Sequence, residues 1–128
     1  MTSALTGYRV LVVEDEYFIA AEIEDALTQA GAQVVGPISG VEEALRQVRG
    51  DGFDLAVLDL NLRGDLAYPV ADALQERGVP FLFASAYQPT EMPASYRLHR
   101  LLSKPYDSRI LVEALAEILL DRPTHSRT

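Results

Sequence analysis

The sequence predicts a doubly wound α/β domain built on a five-stranded parallel sheet, and three observations predict it. Short runs rich in Val, Leu and Phe alternate with stretches whose apolar residues recur at helical spacing. Gly and Pro punctuate the joins between them. The chain has 128 residues, which fits one domain, whereas a closed eight-stranded α/β barrel needs about twice that length.

Tyr8–Val13 is a β-branched run and predicts a buried strand. From Glu16 to Ala30 the period turns helical, with Ile19, Ile23, Ala26, Leu27 and Ala30 on one stripe and Gly31 as the stop. Gln33–Val35 predicts a second strand, closed by Gly36-Pro37, and Val41–Val48 a second helix. Asp54–Leu58 predicts the third strand, and Leu60–Leu66 a loop turning at Gly64-Asp65. Pro69 suits a first helical turn, and that helix runs to about Arg77 before Gly78. Val79–Ala84 predicts the fourth strand. Pro89 and Pro93 restrict Tyr87–Tyr96 to a short, irregular helix. Leu98–Ser103 predicts the fifth strand, and Asp107 caps a last helix over Ser108–Leu120. The tail Asp121–Thr128 is polar and expected to fray. The expectation is one domain over 1–128, with its core from about 8 to 120, in the flavodoxin-like strand order 2-1-3-4-5.

Net charge is −8, which argues against a phosphate-backbone binder, so no nucleic acid is expected as a partner. There is no cysteine, no secretory pattern and no membrane-length apolar run; a cytoplasmic location is expected. Acidity by itself reads as solubility or as a cation site, and composition does not choose.

Position in the sheet does choose. Ligands of open parallel sheets bind beyond the carboxyl ends of the strands. Glu14, Asp15 and Glu16 follow the first strand, Asp59 the third, Ser85 the fourth, and Lys104-Pro105 the fifth. Two carboxylates about 4 Å apart repel by roughly 4 kcal/mol at an effective dielectric near 20. Glu14, Asp15 and Asp59 on one rim therefore call for raised pKa values or a cation. With no histidine or cysteine nearby, a hard oxygen-ligated ion such as Mg2+ fits better than zinc. The plainer reading of Glu14–Glu16 is a charge cluster at a helix N-terminus. An aspartate can also act as a nucleophile and form an aspartyl phosphate, which a metal, a lysine and a hydroxyl would neutralise oxygen by oxygen. As a rim lysine, Lys104 is expected to add little to the stability of the resting protein.

VVED, VLDLN, FLFASAY and LLSKPY, in that order and each at a strand end, resemble the receiver domains of two-component signalling over about Tyr8 to Leu120. The resemblance implies Asp59 as phosphoacceptor, Lys104 and Ser85 as its charge partner and switch hydroxyl, and Mg2+ held by Asp15, Asp59 and the carbonyl of Asn61, with Glu14 acting mainly through a bound water. It implies a sensor histidine kinase or a histidine phosphotransfer protein as donor, and a phosphoacceptor rather than an enzyme with a free substrate. FASAY and LSKPY also resemble a subgroup of small stand-alone receivers with a FAT-G-like motif, associated with alphaproteobacterial stress and sensory kinases. Ser85 and Ala86 depart from that motif. Many receivers carry an aromatic residue three positions before the lysine; here Leu101 stands there, leaving Tyr87 and Tyr106 as nearby substitutes.

Only eight residues follow Leu120, so no output module is expected, and action is through an unknown protein target or as a phosphoryl shuttle or sink. A flavodoxin-like ligand binder without phosphotransfer is the alternative, although the acids after the first strand repel a phosphate. A phosphatase of the aspartyl-phosphate kind would have a second aspartate where Asn61 stands. Pro89–Tyr96 is expected to be the most mobile ordered segment, and His99 and His125 to be surface residues. On the last helix Ile110, Leu111, Ala114, Leu115, Ile118 and Leu119 are expected to cover the sheet. Val112, Ala116 and Leu120 widen the apolar sector, so that helix and the fifth strand are expected to offer a face for a target or a homodimer. The plainer reading is that these residues are scattered or covered by the tail.

Overall fold

The computed structural model describes residues 4–50, 52–86, 92–97 and 99–120. In chain order the elements are β1 (Arg9–Val13), α1 (Tyr17–Gln29), β2 (Gln33–Ile38), α2 (Val41–Gly50), β3 (Leu55–Leu58), β4 (Asn61–Leu62), β5 (Asp65–Leu66), α3 (Tyr68–Glu76), β6 (Phe81–Ser85), β7 (Leu101–Ser103) and α4 (Ser108–Leu120), with a 3-10 turn at Ala94–Tyr96. The main sheet runs β2-β1-β3-β6-β7 with every pairing parallel. That is the expected order 2-1-3-4-5 of a flavodoxin-like α/β fold.

β3 and β6 are buried along their whole length, as central strands of a sheet covered on both faces must be. Successive side chains alternate between two cores. Leu11, Val13, Ala56, Leu58, Phe81 and Phe83 pack with Val48 of α2 and Val70 and Leu74 of α3. Val10, Val12, Leu55, Val57, Leu82 and Ala84 pack with Ile23 and Leu27 of α1 and Leu111 and Leu115 of α4.

Three expectations about strands and core need correction. β2 does not close at Gly36-Pro37; it runs through that cis peptide to Ile38, with an irregular register opposite β1. Gly36 has φ of +105°, and a Cβ there would lie 2.8 Å from the Val12 carbonyl oxygen, so the close approach requires glycine. Leu60–Leu66 is not a plain loop. β4 and β5 form an antiparallel hairpin turning at Arg63 and Gly64, which have φ of +56° and +90°, the left-handed pair a two-residue hairpin turn demands. The core reaches back to Leu5, which is fully buried and whose amide donates to the Ala30 carbonyl, ahead of the expected start at Tyr8. His99 lies at the surface as expected, but its ring is half-buried, 4.4 Å from that of Phe81.

On α4, Asp107 caps as expected, its Oδ1 accepting from the Arg109 amide at 2.8 Å. Leu111, Ala114 and Leu115 are buried, and Ile118 and Leu119 pack against them. Val112 and Ala116 also pack on that core, so the wider face expected from them is largely used within the fold. Ile110 does not cover the sheet; it is exposed, as is Leu120. Tyr87, Pro89, His125 and the tail 121–128 lie outside the described residues. Of the Pro89–Tyr96 segment the described part begins at Met92, which is buried in the core of α2 and α3. Among the described residues no helix is long and apolar enough to cross a membrane.

Candidate functional site

Strand register builds the site. Val13 pairs with Leu58, so the next residues, Glu14 and Asp59, emerge side by side, and the Asp59 amide donates to the Val13 carbonyl at 2.9 Å. Ser85 pairs with Ser103, so Lys104 emerges one step beyond Ser85, its amide donating to the Ser85 carbonyl at 2.9 Å. Glu14, Asp59 and Ser85 are the buried polar side chains among the described residues. A chain that buries two carboxylates at one end of its sheet must compensate them.

Lys104 does so. Its Nζ donates to Glu14 Oε1 at 2.8 Å and to Asp59 Oδ2 at 3.0 Å. The lysine side chain is 15% exposed, against 1% for Glu14 and 6% for Asp59, so the triad is an interior one. Lys104 is therefore more buried than the exposed rim lysine expected from the sequence. The second oxygen of each acid is also held: Glu14 Oε2 accepts from the Glu16 amide at 3.0 Å, and Asp59 Oδ1 from the Asn61 amide at 3.2 Å. Asp15 is half-buried, and its Oδ2 accepts from the Arg63 amide at 2.9 Å. The hairpin turn thus orients Asp15, a link hidden in sequence because it uses the backbone of Arg63. Asn61 turns its side chain away, accepting from the Gly64 amide at 2.8 Å, which leaves its carbonyl as the group it offers a cation. Glu16, the third acid after β1, is exposed and caps α1, accepting from the Ile19 amide.

One oxygen each of Glu14, Asp15 and Asp59 lies within 4.8 Å of the others. Magnesium bonds of about 2.1 Å close such a gap with small side-chain movements, so the donor set, all hard oxygen, fits Mg2+. Beside Lys104 a cavity of about 300 Å3 is lined by Ile19, Glu22, Ile23 and Tyr106. The Tyr106 hydroxyl is buried with no hydrogen-bond partner, and burial pushes it well above its usual range.

A family model described as the response regulator receiver domain matches residues 10–116. The chain belongs to that family. This receiver domain is 29% identical to the sensory transduction protein LytT of Bacillus anthracis over 84% of its own length and 45% of LytT. It spans about half the length, or less, of the curated relatives it matches first. It is 39% identical to SdrG from Sphingomonas melonis Fr1, covering 92% of this chain and 99% of that one at a TM-score of 0.78. The BeF3-activated conformation of SdrG, from Pseudomonas melonis Fr1, superposes at 0.74 with 37% identity, over 93% and 98% of the two chains. A response regulator receiver protein from Sinorhizobium medicae WSM419 is 25% identical over 91% and 97%, at a TM-score of 0.80. The receiver domain thus places this chain in two-component signalling.

The electrostatics of the receiver site predict a pH dependence. Burial pushes the Glu14 carboxyl up to about 7; the Lys104 hydrogen bond pulls it down, and the Asp59 charge pushes it up again. For Lys104, burial pulls down, but its bonds to Glu14 and Asp59 outweigh this and the net is raised. An unfolded Glu14 titrates near 4.5, so between about 4.5 and about 7 the folded protein holds more protons than the unfolded chain. Stability of the cation-free protein therefore falls as pH rises through that window. His99, held below its usual value by burial, acts with the opposite sign, so the comparison is with Glu14→Gln, which retains His99. From about pH 5 to about pH 8 the wild type is expected to lose melting temperature relative to Glu14→Gln. Saturating magnesium should shrink that loss, because the cation takes the place of the proton. Parallel curves for the two proteins would contradict this account of Glu14.

Proposed function

We propose that Asp59 accepts a phosphoryl group in a histidine–aspartate phosphorelay, and that the loaded state changes which protein the domain binds. The observation that carries the reading is the Lys104 ammonium set between Glu14 and Asp59 with Asp15 alongside, a cation balancing acids that the fold has buried. A structural ion pair alone would need one acid, and three acids with one lysine leave room for a divalent ion.

The donor is a phosphohistidine on a sensor histidine kinase or a phosphotransfer protein. An Asp59 oxygen attacks phosphorus, the phosphorus–nitrogen bond breaks, and the imidazole nitrogen keeps the electron pair. Asp15, Asp59 and the Asn61 carbonyl, with Glu14 through a bound water, would hold magnesium, which would supply charge neutralisation to the transferred group. Lys104 gives up its bond to Asp59 and meets a phosphoryl oxygen as a point charge. Ser85, at the buried end of β6, donates its hydroxyl to another oxygen once it approaches Asp59. Asn61 borders the path of hydrolytic water, and the domain assists its own loading and unloading rather than turning over a free substrate. It acts in the cytoplasm as a regulator, or as a phosphoryl shuttle or sink. Its contacts are with proteins, since a charge of −8 disfavours nucleic acid. The part of α4 and β7 left exposed is the face for a target or a second copy.

The BeF3-activated form of SdrG makes beryllofluoride the natural probe. With magnesium, beryllofluoride should shift the amide resonances of Asp59, Ser85 and Lys104 in a saturable way. Beryllofluoride without magnesium should leave them in place. Absence of any magnesium-dependent shift would count against the phosphoacceptor reading.

A further inference from the structure

Two lines of contact leave the acidic site and meet on one side chain outside it. The first runs along β6. Ser85 and Phe83 are two residues apart on that strand and so point to the same face. The Phe83 ring meets the ring of Tyr96 edge-on, with centroids 6.4 Å apart and planes at 78°. The second line runs through the hairpin. Asp59 Oδ1 holds the Asn61 amide, and the Ala67 amide donates to the Leu60 carbonyl at 2.8 Å, which fixes the start of α3. There Tyr68 lies 4.3 Å from Tyr96, ring to ring, at 30°. One turn further along the same face of α3, Asp72 Oδ1 accepts from the Tyr96 hydroxyl at 2.7 Å.

Tyr96 is therefore gripped by α3 at two points, ring and hydroxyl, and sits on a short 3-10 turn rather than on a strand of the sheet. The turn is anchored at one end by buried Met92, whose carbonyl accepts from Arg97 Nε at 2.9 Å. A side chain held by one polar bond and one ring stack, on a 3-10 turn rather than in a helix or strand of the main fold, needs few contacts broken to leave its place.

We propose that Tyr96 is a latch closed on Asp72 and Tyr68 in the resting protein and released when Asp59 is loaded. The inference rests on Asp59 being the phosphoacceptor. Loading draws Ser85 toward Asp59 and with it the end of β6, while the hairpin adjusts to the new charge. Both movements shift what Tyr96 leans on, and release presents the aromatic side chains of Tyr68 and Tyr96 to a partner.

Coupling is reciprocal, so breaking the latch must favour the loaded state. Tyr96→Phe keeps the ring on Tyr68 and removes only the hydroxyl; Asp72→Ala removes the acceptor and spares the tyrosine. Affinity for beryllofluoride at fixed magnesium is measured by titration for both variants and the wild type. Each variant is expected to bind about five-fold tighter or better, with no further gain in the double variant. In the wild type, the Tyr96 ring resonances should move on beryllofluoride binding. Unchanged or weaker binding in both single variants, or unmoved Tyr96 resonances in a wild type that does bind, would overturn the latch while leaving the phosphoacceptor reading standing. A wild type that binds no beryllofluoride overturns both.

Discussion

Asp59→Asn should take up no phosphoryl group from a small phosphodonor such as phosphoramidate, under conditions in which the wild type is extensively loaded. The change removes the attacking carboxylate oxygen and little else. An asparagine Oδ1 retains the bond from the Asn61 amide, now made by Asp59 Oδ1 at 3.2 Å. Its amide nitrogen faces Lys104 in place of Oδ2, so the ammonium keeps its bond to Glu14 and loses the one to position 59. The fold should survive, since β3 and its pairings with β1 and β6 involve none of these atoms. Intact mass reads the result directly. A variant that gains the phosphoryl mass as the wild type does would remove Asp59 from its role.

Lys104→Ala should damage the resting protein, contrary to what a rim lysine implies. Lys104 is the cation that balances Glu14 and Asp59, and both of those acids are almost fully buried. Removing one partner from a buried ion pair costs about 3–5 kcal/mol, because the remaining charge stays desolvated. Glu14 can relieve part of that cost by taking a proton, since its carboxyl already stands near 7. The loss should therefore be greatest at alkaline pH, roughly 11–19 °C in melting temperature for a domain of this size, and smaller at acid pH. Magnesium should restore part of it by supplying the missing positive charge. An unchanged melting temperature at alkaline pH without magnesium would show that the lysine is solvated in solution and the triad open.

The sheet and its order were legible because they rest on strong signals. Val10–Val13, Leu55–Leu58 and Phe81–Ala84 are apolar runs bounded by polar or turn residues, and central parallel strands need nothing else. The convergence of Glu14, Asp15, Asp59, Ser85 and Lys104 followed from the order alone, since each stands at or just past a strand end. What escaped was local. Arg63 at φ of +56° is not a residue that announces a hairpin turn, so β4 and β5 read as loop, and with them the amide that orients Asp15. Pro37 reads as the end of a strand, yet β2 continues past it because it is an edge strand with a free side. Leu5 and Met92 are single apolar residues among polar or turn neighbours, without periodicity to mark them as core. The burial of Lys104 and the packing of His99 depend on what the fold places around them; residue type points the other way.

Asp59 as the single, cation-dependent phosphoacceptor is what the site's whole reading depends on. Mass spectrometry of the wild type after incubation with phosphoramidate, with magnesium and separately with chelator, tests it most directly. One phosphoryl group per chain should appear with magnesium, on the peptide containing Asp59 and labile as an acyl phosphate is, and should be absent with chelator. Uptake that ignores the chelator, or that maps to any peptide without Asp59, would contradict it.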